Sequence, residues 1–173
     1  MVDIALDQFI EMLGQGVVAH AHYVEQALRE AIGHVHEAAV RMIGDERPEW
    51  PPLAQRTRDE RWRLGFPENE PLLRTGHLLA AIETEVELHP VGGDAVCGVK
   101  DGMVGDGSRA DPVRNIGDVA VWMELGTGHI PARSFLAQAA IDKEREILEA
   151  LGSDVIKGLF DPTGRPVPGS SVV

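Results

Sequence analysis

Two histidine pairs are the first residues that suggest chemistry: His20-Ala21-His22 and His34-Val35-His36. Metal ligands on a helix sit three or four residues apart, so that they share a face. Two apart, the rings point about 200° from each other. The spacing argues for solvated or interface histidines and against a metal site. Gly102-Met103-Val104-Gly105-Asp106-Gly107 is glycine-rich enough to cradle a phosphate. A phosphate loop, however, runs from a strand into a helix and often carries Lys-Ser/Thr. No lysine is placed here, and the spaced aspartates lack the calcium-loop spacing and its terminal Glu. Ser134 lies near His129 and Glu124, so a nucleophilic triad can be drawn. No serine occupies a Gly-x-Ser-x-Gly elbow, and Ser134 reads more naturally as a helix cap. Together these readings predict no catalytic residue, no cofactor and no metal.

Composition narrows the function further. Lys and Arg number 16 against 28 Asp and Glu, a formal net charge of −12. Unspecific nucleic-acid binding needs cationic surface, so this balance disfavours it. The single cysteine, Cys97, excludes an intramolecular disulfide and thiolate metal cages. The N-terminal residues lack a signal-peptide pattern, and no run of about 18 apolar residues is present. The expectation is a soluble protein made in a cytoplasm, with no membrane partner. At 173 residues, 43% hydrophobic and 25% charged, one ordinary core is possible.

The elements follow from periodicity. Leu6, Ile10, Leu13, Val17, Ala21, Val24, Leu28, Ala31, Val35, Ala39 and Met42 recur at helical spacing. A continuous helix there would span roughly 55–60 Å, and a break near Gly14-Gln15-Gly16 is expected. So long a one-faced helix wants a partner beyond its own domain, which makes Val24, Leu28 and Val35 candidate interface residues. Prolines then make 45–71 a long connection, with a short helical turn at Gln55 to Leu64. Its arginines, Arg56, Arg58, Arg61 and Arg63, interleave with acids and read as a solvated, salt-bridged segment. Trp50, among prolines, is a candidate interface anchor. Thr75 is expected to cap a short helix.

Thr84 to His89 alternates polar and apolar as a strand, and Ala95 to Lys100 pairs with it across Gly92-Gly93-Asp94. Residues 101–117 read as a long exposed loop. Asp118 to Leu125 is read as a third strand, with Trp122 in the core. A helix then runs from Ser134 to about Leu159, followed by a flexible tail at 161–173. The predicted fold is α+β: a small antiparallel sheet of about three or four strands against long N-terminal and C-terminal helices, forming one domain over 1–160.

Three signals occur in order. They are Leu72-Leu73-Arg74-Thr75-Gly76-His77-Leu78, Val121-Trp122-Met123-Glu124-Leu125-Gly126-Thr127, and Ile130-Pro131-Ala132-Arg133-Ser134-Phe135-Leu136. Together they resemble the phage virion morphogenesis proteins, the Mu-like tail-completion proteins and the neck proteins of siphophages. Their pattern is Leu-x-x-Thr-Gly-x-Leu, then Glu-x-Gly-Thr, then Pro-x-Arg-x-Phe-Leu before a last helix. His77 stands where that family often has Arg, and Ser134 where a second Pro is common.

The resemblance implies a non-enzymatic virion component at the head–tail junction or tail end, present in the host cytoplasm before assembly. It implies a homo-oligomeric ring of roughly six or twelve copies. The implied partners are other copies, the neighbouring head-completion or connector proteins, and tail proteins. DNA would pass through without specific binding. Thr75, Gly76, Gly126, Thr127, Pro131, Phe135 and Leu136 are then fold-motif residues. Glu124 and Arg133 are expected to pair, within or between subunits. Two readings from other classes stay open: a small hydrolase or nucleotide-binding protein, and a cytosolic module that docks a partner helix.

Overall fold

A computed structural model describes residues 6–90 and 92–160, with side chains described for 21–90 and 92–152. The tail expected at 161–173 lies outside the described residues. The chain divides into two compact units, one of residues 1–31, 86–95 and 145–173, the other of 32–85 and 96–144.

Helix α1 spans Leu6–Met42. It runs unbroken through Gly14 and Gly16, contrary to the expected break. Each glycine costs only about 1 kcal/mol, and no proline interrupts the hydrogen-bond ladder. Tyr23, Ala27 and Ala31 are buried in the first unit, and Val35, Ala38, Ala39 and Met42 in the second. Val24 and Leu28 are half-buried. In the first unit Tyr23 and Ala27 are therefore buried in place of Val24 and Leu28, while Ala31 is buried as periodicity expected.

Strands β1 (Ile82–His89) and β2 (Gly92–Val99) form a two-stranded antiparallel sheet. Gly92 and Gly93, expected in the turn, belong to the second strand. A Cβ on Gly93 would lie 2.8 Å from the Glu87 carbonyl oxygen and 2.8 Å from Leu28 Cδ1. Only glycine lets α1 lie this close to the hairpin.

The second unit holds α2 (Gln55–Arg63), α3 (His77–Ala80), β3 (Met103–Val104), β4 (Arg114–Asn115), α4 (Ile116–Leu125) and α5 (Leu136–Asp142). Its buried residues include Ile43, Leu78, Ile82, Ile116, Ala120, Phe135 and Ala139, and Phe135 is 0% exposed. α6 (Glu144–Phe160) follows. The α+β class is as predicted: a long N-terminal helix packs against an antiparallel hairpin and C-terminal helices.

Four local expectations are corrected. Asp118 to Leu125 is helix α4, not a strand. Ile116, Val119, Ala120 and Met123 turn inward at helical spacing. The Asn115 side chain caps the helix, accepting from the Gly117 N–H at 2.8 Å, and Gly126 ends it. The β-branched Val119 and Val121 favour a strand locally, but caps and burial outweigh propensity. With that strand gone, the described residues carry two two-stranded sheets. Trp122 is 41% exposed and is not core.

The 101–117 segment is not a plain loop. β3 pairs with β4, Met103 opposite Asn115 and Val104 opposite Arg114. Gly105, at φ 106, sits where a Cβ would meet the Pro112 carbonyl oxygen at 2.6 Å. Thr75 is exposed and does not cap; Gly76 precedes α3 in the left-handed region (φ 83), with no side-chain cap. Finally, the last helix is two helices. The break is at Lys143 (φ −109, ψ 10), just after Asp142, which Arg47 holds at 3.0 Å and Gln138 at 2.7 Å.

Candidate functional site

Glu124, on the last turn of α4, is the hub of the second and third motifs. Its Oε1 accepts from Ser134 Oγ at 2.6 Å and the Ala137 N–H at 2.9 Å. Its Oε2 accepts from the Phe135 and Leu136 N–H groups at 2.9 and 3.1 Å. These three amides open α5, whose first N–H groups have no partner inside the helix. Burial works against the Glu124 charge, but the bonds from Ser134, Ala137, Phe135 and Leu136 outweigh it. They hold the carboxyl below its ordinary range. Ser134 therefore does not cap α5; it donates to the carboxylate that does.

The segment between α4 and α5 is built for that grip. Gly126 (φ 76, ψ 176) passes where a Cβ would meet the Ala132 nitrogen at 2.7 Å and the Ile130 oxygen at 2.9 Å. Thr127 donates its N–H to the Ile130 carbonyl at 2.7 Å, and its Oγ1 accepts from the N–H groups of His129 and Ile130. The Arg133 N–H returns to the Met123 carbonyl at 2.7 Å. Phe135 fills the core behind, and Leu136 is half-buried beside it.

The expected Glu124–Arg133 pair does not form within the chain. Arg133 is 5% exposed, and its Nη2 donates to the Pro51 carbonyl at 2.8 Å and reaches Pro52 at 3.5 Å. Trp50 is half-buried nearby in sequence, under the Arg47 guanidinium at 6.0 Å from the ring centre. Arg61 is not the solvated residue expected. It is 8% exposed, and its Nη1 donates to Glu70 at 2.7 Å, Leu73 at 3.0 Å and Pro67 at 3.3 Å, all backbone carbonyls. Sequence reasoning missed this, although a signal existed. A proline-broken stretch cannot satisfy its own carbonyls, so a buried donor-rich side chain has to.

A cavity of about 430 Å³ opens within this unit. Motif residues Thr75, Gly76, Pro131 and Arg133 line it, together with Arg61, Arg74 and Arg114. Its apolar wall includes Leu53, Leu78, Ile116, Val119, Met123 and Ile130. Leu72, also at the wall, adopts φ 64, a strained value for leucine. At the rim, His77 Nε2 lies 2.8 Å from Asp111 Oδ2, which ties α3 to the β3–β4 segment. Among the described residues, no cluster of His, Cys, Asp or Glu is arranged to hold a metal ion, and no helix is long and apolar enough to cross a membrane.

Comparison with family models, curated proteins and solved structures gives no significant match.

Proposed function

We propose that this chain is a non-enzymatic structural subunit of a tailed-phage particle or a phage-derived particle. It belongs to the neck or tail-completion class, assembling as a ring around the DNA channel. The observation that carries the reading is what its motif residues do. Glu124, Gly126, Thr127, Arg133, Ser134 and Phe135 act on one another or on neighbouring backbone. Motifs of this kind maintain a shape that assembly needs, and the resemblance supplies what the shape is for.

The hydrolase alternative fares poorly on the same geometry. Ser134 donates directly to Glu124, with no histidine between them. A carboxylate held below its usual range by four donors is a weak base and does not activate a serine. The acidic composition suits a conduit whose wall repels passing DNA.

The test is localisation in purified particles from the source, by mass spectrometry and labelled electron microscopy. The expected result is a few copies per particle, labelled at the head–tail junction or tail end. Absence from intact particles with complete tails would overturn the proposal.

A further inference from the structure

The wall of the cavity brings together three guanidiniums, those of Arg61, Arg74 and Arg133. Arg61 and Arg133 are buried, and Arg74 is half-buried. The Arg133 and Arg74 Nε atoms are buried with no hydrogen-bond partner. Among the described residues, none of the three guanidiniums has a carboxylate within ion-pair distance. Arg61 feels the repulsion: burial, then Arg74, then Arg133 push its pKa down, with Glu70 acting the other way. Two carboxylates do line the cavity, but Asp111 is bonded by His77 and Glu60 is exposed. Among the described residues the cluster is thus held by backbone carbonyls and the Phe66 ring rather than by ion pairs. Buried, uncompensated charge is costly, and an anion from outside relieves the cost.

The rest of the wall identifies the body that carries the anion. Leu78, Ile116, Val119, Met123 and Ile130 are aliphatic or thioether. Among the described residues no Phe, Tyr, Trp or Lys lines the cavity; its two imidazoles are His77, tied to Asp111, and His129, which is exposed. The volume is at the lower end for small-ligand sites. A bare inorganic anion would leave the apolar wall wet, whereas an aliphatic body covers it.

We infer that this cavity is a binding site for a carboxylate carried on an aliphatic body. Arg74 and Arg133 receive the carboxylate and the wall around Val119 and Met123 receives the body. The inference does not rest on the virion reading. The same chemistry has two sources: a free aliphatic acid, or an acidic side chain flanked by apolar residues on a partner protein.

The experiment is calorimetric titration of the full chain with octanoate, with octylamine and inorganic phosphate as controls. A capped Leu-Glu-Leu peptide serves as the second arm. Saturable binding of octanoate, with neither control binding, is expected. Arg74→Gln should weaken it by about tenfold or more, the worth of one charge-assisted hydrogen bond. Val119→Trp, which fills the cavity and removes no charge, should abolish it, and reads the site even if Arg74→Gln does not fold. Tighter binding of the peptide, displaced by octanoate, assigns the partner-protein source; octanoate binding alone assigns the free acid. No saturable binding by either would overturn the inference. So would equal binding of octylamine, or binding that survives Val119→Trp in a folded protein.

Discussion

Removing the Glu124 carboxylate takes the acceptor from four donors at once, three of them the backbone amides that open α5. Glu124→Ala is expected to cost about 2–4 kcal/mol in urea unfolding, and Glu124→Gln about 1–2, since the amide keeps one acceptor. The pH dependence has a definite sign. The folded-state pKa lies below the ordinary value of 4.5. The contribution is therefore fully present above the ordinary carboxylate range and is lost as pH falls through the lower folded-state value. In Glu124→Gln the acid limb of the stability profile should flatten; an unchanged acid limb would remove Glu124 from this role. At Gly126, positive φ coincides with a close backbone approach. Gly126→Ala should therefore destabilise by at least about 2 kcal/mol, read by the same unfolding curve.

Among the elements, α4 departs most from what the residues advertise. Val119, Val121 and Trp122 are good strand formers, yet the segment is helical because Asn115 opens it and Gly126 closes it. The helical reading predicts positive Cα secondary shifts over 116–125, and a loss of about 1 kcal/mol in Asn115→Ala. Strand-type shifts there would refute it. The helical state also has a consequence for Glu124. A strand places successive side chains on opposite faces, whereas the last turn of a helix aims this carboxylate at the α5 amides. A strand reading of 118–125 leaves no place for a helix-capping carboxylate, and the helix supplies one in Glu124. Where propensity, pattern and punctuation agree, as in α2 and β1, the elements came out as predicted.

At the scale of the whole molecule, charge makes a separate prediction. With a net charge of −12, the isolated chain should show no retained complex with duplex DNA in fluorescence anisotropy at physiological salt. A tight, salt-sensitive complex would argue against a DNA conduit and for a nucleic-acid-binding role. The acidic balance also sharpens the arginine cluster. A surface rich in carboxylates offers many partners for Arg61, Arg74 and Arg133, and the fold pairs these cations with carbonyls, an aromatic ring and a cavity.

By itself the sequence determined the α+β class, the helical period of the first segment though not its continuity through Gly14 and Gly16, the arginine-bearing α2 and the β1–β2 hairpin. Each of these rests on local period and on proline or glycine punctuation, which neighbours in the chain suffice to express. Only the tertiary structure decided that α4 is helical, that Glu124 serves α5, and that Arg133 reaches carbonyls some 80 residues away. The cavity belongs to the same class, since its walls come from α2, α3, α4 and the connections among them. Which buried donor meets which acceptor is settled by three-dimensional packing, because any of several partners satisfies the same local pattern.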